Sequence, residues 1–149
     1  MRSHPVAAIS LTLFLAVVSL RPGFGQVTSP EGMARATVTV TVEATLPWVD
    51  SGLTVRKGER LSFEASGTIR WGSKPDQVAG PEGHGAKAGK LGVGGLIGRV
   101  GFIGKPFPIG STRTPVTMPQ SGKLFLGIND FIFKDNTGSF LVTISRPGV

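Results

Sequence analysis

The amino-acid sequence predicts an all-β protein, an antiparallel jelly-roll β-sandwich of two small sheets. Three observations carry that expectation. Apolar and polar residues alternate with a period of two through several short segments, turn-forming residues separate those segments, and nowhere do apolar residues recur at helical spacing for three turns. Short alternating strands with regular punctuation are the mark of sandwiches and jelly rolls.

The first 25 residues read as a secretory signal. Arg2 gives a positive start, residues 6–20 form an apolar run, and Gly23-Phe24-Gly25 offers a small-x-small cleavage pattern. The run is short for a bilayer span and no later segment is apolar enough to make one. The expected location is therefore secreted, periplasmic or cell-surface, with residues 26–35 a polar, flexible leader and residues 36–149 a single domain. Cysteine is absent, so a domain of this size has to hold together by its core alone.

The first strand follows from Ala36, Val38, Val40 and Val42, which share one face, while Thr37, Thr39, Thr41 and Glu43 share the other. After the turn signal Lys57-Gly58-Glu59, a second alternation sets Leu61, Phe63 and Ala65 against Ser62, Glu64 and Ser66. Residues 71–90 show no periodicity and hold five glycines and two prolines; a loop this long inside a compact domain is usually functional or disordered. The glycine-rich apolar run over residues 91–101 reads as a strand whose glycines mark close packing, a bulge or another backbone passing nearby. Prolines 106, 108, 115 and 119 and the turn Gln120-Ser121-Gly122 lead to the last two strands. These place Leu124, Leu126 and Ile128, then Phe140, Val142 and Ile144, on inward faces.

Between those last two strands lies the most informative stretch, where Asn129, Asp130, Asp135 and Asn136 put two carboxylates and two carboxamides within eight positions. A hairpin turns on one such residue. Four oxygen-bearing side chains suit a hard cation such as calcium, which takes carboxylate, amide and main-chain oxygens in a flexible shell. The spacing is not that of an EF-hand, and an ordinary turn held by Asx hydrogen bonds is the alternative.

Other chemistries are poorly supplied. Beyond the signal the chain has one histidine, His84, and no cysteine or Gly-x-Ser-x-Gly elbow. Asp130 and Asp135 could pair as glycosidase carboxylates, but the flanking asparagines suit coordination better. The glycine-rich run lacks the dinucleotide spacing and a following helix, and Gly104-Lys105 is followed by Pro106. Removing Arg2 and Arg21 leaves 14 Lys and Arg against 9 Asp and Glu, scattered along the chain. Without tyrosine or an aromatic-basic stacking run, nucleic acid is not an expected partner. Trp48 reads as a core or sandwich-end residue, and Trp71, beside the long loop, as a candidate sugar platform.

The residue order resembles a known family. Trp48-x-Asp50-Ser51-Gly52, Lys57-Gly58-Glu59, Ala65-Ser66-Gly67-Thr68-Ile69-x-Trp71-Gly72, Gly80-Pro81-Glu82-Gly83 and Gly95-Leu96-Ile97-Gly98-Arg99-x-Gly101 occur in turn. They are followed by Pro106-Phe107-x-Ile109-Gly110-Ser111, by Leu126-Gly127-Ile128-Asn129-Asp130 and by Asp135-Asn136-x-Gly138-Ser139-Phe140. This series is similar to the calcium-dependent galactose-binding lectins of the PA-I galactophilic type. The resemblance implies a jelly-roll sandwich holding one Ca2+ at a sheet end, with sugar hydroxyls coordinating the ion. By position it implies metal ligation by Asp130, Asp135, Asn136 and the Trp71 carbonyl, with a further carbonyl from Phe133 or Lys134. Sugar contacts are implied for Trp71, His84, Asp130 and Asp135. The departures are a shorter loop between Asp130 and Asp135, Lys134 beside the cation position, and a histidine that follows the Gly-Pro-x-Gly motif immediately.

The expectation is thus a secreted, non-catalytic lectin-like module that binds a galactose-like glycan through calcium, with a homo-oligomer left open. Two rivals stand beside it. One is a basic adhesion module that holds anionic polysaccharide without metal through Arg70, Lys74, Lys87 and Lys90; the other is a structural envelope domain that has lost its ligand.

Overall fold

The computed structural model describes residues 37–87, 90–111 and 114–146; the expected signal and leader lie outside them. The described residues belong to one compact unit, Gly32–Val149, and contain strands and no helix. Nine strands run in chain order: β1 Thr37–Glu43, β2 Val49–Val55, β3 Arg60–Arg70, β4 Val78–Ala79, β5 Leu96–Val100, β6 Phe107–Pro108, β7 Val116–Thr117, β8 Gly122–Ile128 and β9 Thr137–Ser145. They form two antiparallel sheets. One has the order β1-β9-β3-β4, with β7 also on β3, and the other has the order β2-β8-β5-β6. The expected two-sheet β-sandwich is what the chain forms.

The alternation sets the registers. β1 pairs with β9 so that Val38 lies opposite Ile144, Val40 opposite Val142 and Val42 opposite Phe140. A slip of one residue would turn this whole apolar row to water. β3 brings Leu61, Phe63 and Ile69 inward beside them, and the second sheet answers with Leu96, Val100, Leu124, Leu126 and Ile128, all in one buried cluster. Each fully buried side chain of this size contributes about 1.5–3 kcal/mol, which is how the domain is stable without a disulfide. On the outer face of the first sheet the threonines stay in contact with water, and the Thr39 and Thr143 hydroxyls meet at 3.5 Å.

Three stretches depart from the sequence-based expectation. β2 shows no clean alternation because its pairing with β8 shifts register between Asp50 and Thr54. There Asp50 Oδ1 accepts a hydrogen bond from the Gly52 amide at 2.8 Å, and Gly52 adopts a left-handed φ of 74°. That amide, followed by Lys123, holds the Asp50 carboxyl below its ordinary value. Residues 71–90 are not wholly irregular, since β4 extends the first sheet from within them. Of the glycine-rich run only Leu96–Val100 is strand.

The outer face of the second sheet carries a cation–π stack. The Arg99 guanidinium lies 4.3 Å from the Trp48 ring centroid and 5.5 Å from that of Phe125. Trp48 can lie flat there because Gly127 leaves room; a Cβ at 127 would come within 3.0 Å of its ring. At the far end of β9, Arg146 pairs with Glu59 at 2.6 Å and donates to the Thr54 carbonyl. Burial opposes ionisation of Glu59, but the hydrogen bonds from Arg146 and the Arg56 amide outweigh it and leave the carboxyl below its ordinary value.

Candidate functional site

The site forms where β8 ends and β9 begins. Asp130 is half-buried, and its Oδ1 accepts hydrogen bonds from the backbone N–H groups of Phe131 (2.7 Å) and Ile132 (3.3 Å). This Asx-type turn fixes the carboxylate and leaves its second oxygen free of the turn. That oxygen, Oδ2, is buried without a hydrogen-bond partner. Asn136 closes the same loop through its amide to the Phe133 carbonyl (3.3 Å). The residue is 2% exposed, and its Nδ2 donates to the Ala44 carbonyl at 3.1 Å, tying the loop to the end of β1. Its Oδ1 is likewise buried and unpartnered.

A buried polar oxygen left unpaired costs about 1–3 kcal/mol, so two of them on one short loop call for a partner outside the chain. Asp135, exposed on the same loop, adds a second carboxylate. Among the described residues no three His, Cys, Asp or Glu side chains cluster. A set of two carboxylates, one amide oxygen and main-chain carbonyls matches hard-cation chemistry rather than a transition-metal site. The residues present therefore fit calcium.

Trp71 reaches this loop through strand register. β3 pairs with β9 so that Ile69 lies opposite Gly138 and Arg70 opposite Thr137, the pair that immediately precedes Trp71 on one strand and follows Asn136 on the other. Its backbone amide donates to the Gln77 carbonyl at 3.0 Å, and its indole Nε1 is buried with no partner. The Trp71 ring lies 5.6 Å from that of His84 at a 48° tilt. His84 is held by a two-way backbone bridge with Val93 (2.7 and 3.1 Å). The neighbouring Gly92 carbonyl accepts from Asn129 Nδ2 at 3.1 Å, and the Gly94 amide donates to the Asn129 carbonyl at 2.9 Å. Trp71, His84, Asp130, Phe133, Asp135 and Asn136, far apart in sequence, thus converge on one end of the sandwich.

Sequence reasoning counted Asn129 among the loop oxygens and did not single out Gly92 or Gly94. The Asn129 side-chain amide instead donates to the Gly92 carbonyl, anchoring the segment whose Val93 bridges to His84. Gly92 and Gly94 make that anchoring sterically feasible. A Cβ at Gly92 would strike the His84 and Gly83 backbones, and one at Gly94 would come within 3.2 Å of the Trp71 ring. The glycine-rich composition was the available signal for such a close approach.

Beside Asp130 runs an apolar groove of about 550 Å3, whose lining includes Pro47, Trp48, Ile97, Phe107, Phe131 and Phe133. Lys90 and Asp130 supply its charged edge.

The fold is a two-sheet antiparallel β-sandwich with a lectin among its structural neighbours. Among solved structures the chain is similar to the EclA N-terminal domain, a PllA-like lectin, with 28% sequence identity and a TM-score of 0.64 over 74% of this chain and 96% of that one. No family model and no curated protein matches the chain. The resemblance to lectins of the PA-I type, read from the order of short motifs, is therefore matched in three dimensions.

Proposed function

We infer that the protein is a secreted, non-catalytic module that binds a galactose-like glycan through a calcium ion. The observation that carries this reading is the pair of buried, unpartnered oxygens, Asp130 Oδ2 and Asn136 Oδ1, on the loop between β8 and β9. Its lectin-like structural neighbour supports the carbohydrate part of the reading. Asp130, Asp135, Asn136 and the carbonyls of Trp71 and Phe133 would hold the ion. Bound there, calcium supplies open coordination positions at which vicinal sugar hydroxyls replace water.

The chain's own groups do the rest. Asp130 is oriented by the Phe131 and Ile132 amides, so its free oxygen meets a ligand without reorganisation. The Trp71 Nε1 donor has no intramolecular partner and can satisfy a sugar oxygen. The Trp71 and His84 rings offer an aromatic wall against which the apolar face of a pyranose packs. Lys134, exposed on the same loop, weakens cation binding unless its ammonium points to water.

The test is the melting temperature in EDTA, in millimolar calcium and in millimolar magnesium. A ligand that binds only the folded state stabilises it by about 2.7 kcal/mol at a hundredfold excess over Kd. A rise of several degrees with calcium but not magnesium is expected, followed by a further rise with a galactoside. Identical melting in all three solutions would return the loop to an ordinary Asx turn.

A further inference from the structure

β8 begins at Gly122 and ends at Ile128, beside the Asp130 loop, so its start marks the opposite pole of the sandwich. Hydrogen bonds gather the turns of that pole. The Gly101 amide donates to the Lys123 carbonyl at 2.8 Å, the Lys57 amide to Ser121 Oγ at 2.9 Å, and Arg146 pairs with Glu59. On the turn after β5, Ile103 is 100% exposed and Phe102 74%. This turn is fixed: the Gly104 amide closes onto the Gly101 carbonyl, Gln120 Nε2 donates to the Val100 carbonyl at 2.6 Å, and the Phe102 ring packs 5.1 Å from that of Phe125. Charge around the tip is one-sided. The carboxylates nearest it are already paired, Asp50 with Lys123 at 3.3 Å and Glu59 with Arg146. Arg56, Lys57, Arg60 and Lys105 are exposed and make no ion pair among the described residues.

We propose that this pole docks on an anionic bilayer, with Ile103 and the edge of Phe102 entering the headgroup boundary and the four unpaired cations meeting acidic lipid. Two independent features of the pole select that partner. Its uncompensated positive charge is attracted by the negative surface potential of an acidic leaflet, and a fixed apolar tip suits a boundary into which apolar side chains sink by about 5–10 Å. Other occupants satisfy only one of the two. A second copy of the chain would bring the same cations face to face, and like charge opposes that contact. A soluble polyanion would pair the cations and leave Ile103 in water. The Asp130 loop offers no such match, because Asp130 and Asp135 there offset Lys90 and Lys134. A molecule docked by the start of β8 presents the Asp130 loop away from the bilayer. The proposal goes beyond glycan recognition and needs neither sugar nor calcium.

Flotation in EDTA tests it, with glycan-free vesicles of phosphatidylcholine containing about 20% phosphatidylserine. The purified protein is compared with Ile103→Ser, with the double variant Lys57→Gln/Lys105→Gln, and with Leu141→Thr, which removes an exposed apolar side chain from the outer face of β9. Partition onto phosphatidylcholine alone is subtracted for each, which removes any charge-independent contribution of the N-terminal residues they share. The expected result is equal partition of the parent and Leu141→Thr, and about a tenfold weaker partition for Ile103→Ser and for the lysine variant. The substituted side chains are exposed, and unchanged melting temperatures confirm that each variant is folded. The proposal is overturned if phosphatidylserine brings no gain for the parent, or if Leu141→Thr loses as much as Ile103→Ser. It is equally overturned if the lysine variant alone loses partition, the mark of a polyanion surface, or if Ile103→Ser alone does. Sedimentation showing a parent dimer that Ile103→Ser dissolves would overturn it too, because a second copy then covers the tip.

Discussion

Asp130 carries two separable duties on its two oxygens. Oδ1 caps the turn through the Phe131 and Ile132 amides, whereas Oδ2 is buried, unpartnered and free to meet a ligand. Substitution can divide these duties. Asp130→Asn keeps a side-chain acceptor for the turn and removes the charge; Asp130→Ala removes both. In EDTA the asparagine variant should unfold in urea within about 0.5 kcal/mol of the parent, and the alanine variant should lose about 1 kcal/mol. Neither should gain melting temperature from calcium as the parent does. A full calcium response in Asp130→Asn would show that the carboxylate charge is not a ligand. Asn136 could not be used so cleanly, because its Nδ2 bond to Ala44 also holds the loop to β1.

At the level of elements, the glycines between β4 and β5 separate packing from composition. Gly92 lies against the backbones of His84 and Gly83, where neither neighbour has a flexible end to move. Gly92→Ala should therefore cost about 1–3 kcal/mol in urea unfolding and displace the strand-like bridge between His84 and Val93, weakening glycan binding together with stability. Gly80, in the same glycine-rich region, has open space where a Cβ would stand, with nothing within 4 Å, and no positive φ. Gly80→Ala should be neutral or raise stability by up to about 1 kcal/mol. Equal losses at the two positions would mean that composition, not contact, governs this segment. The contrast also explains what could be read from sequence. β1, β3 and β9 were legible because one face of each is buried and the other largely wet, and β8 because Leu124, Leu126 and Ile128 alternate, although both of its faces are covered. β2 was hidden by its bulge at Asp50–Thr54, and β4, β6 and β7 are two residues each, too short for any period to show. The loop oxygens were visible as a cluster of Asx residues. Trp71 was visible as a candidate sugar platform beside the long loop, but its ligand role and His84 entered through motif order, since no local pattern reveals that the β3–β9 register ends at Arg70 and Thr137, next to Trp71 and Asn136.

For the whole molecule, the excess of positive charge is the feature that most directly separates glycan binding through a cation from binding of a polyanion. Arg70 and Lys74 stand together, with Arg70 Nη2 donating to the Lys74 carbonyl at 2.9 Å, and Lys87 and Lys90 face each other across a backbone bridge. These side chains could hold an anionic polysaccharide by Coulomb attraction, which ionic strength screens over about 10 Å at 0.1 M salt and about 3 Å at 1 M. Oxygen ligands in contact with a bound ion act at far shorter range, so their contribution should survive the same screening. Titrating a neutral galactoside by calorimetry at low and high salt should therefore change its affinity by less than about threefold, with binding abolished by EDTA. Retention on a sulfated polysaccharide column should fall away over the same salt range whether or not calcium is present. If the galactoside shows no binding while the polyanion is retained in EDTA, the activity belongs to Arg70, Lys74, Lys87 and Lys90, and the loop between β8 and β9 is a turn.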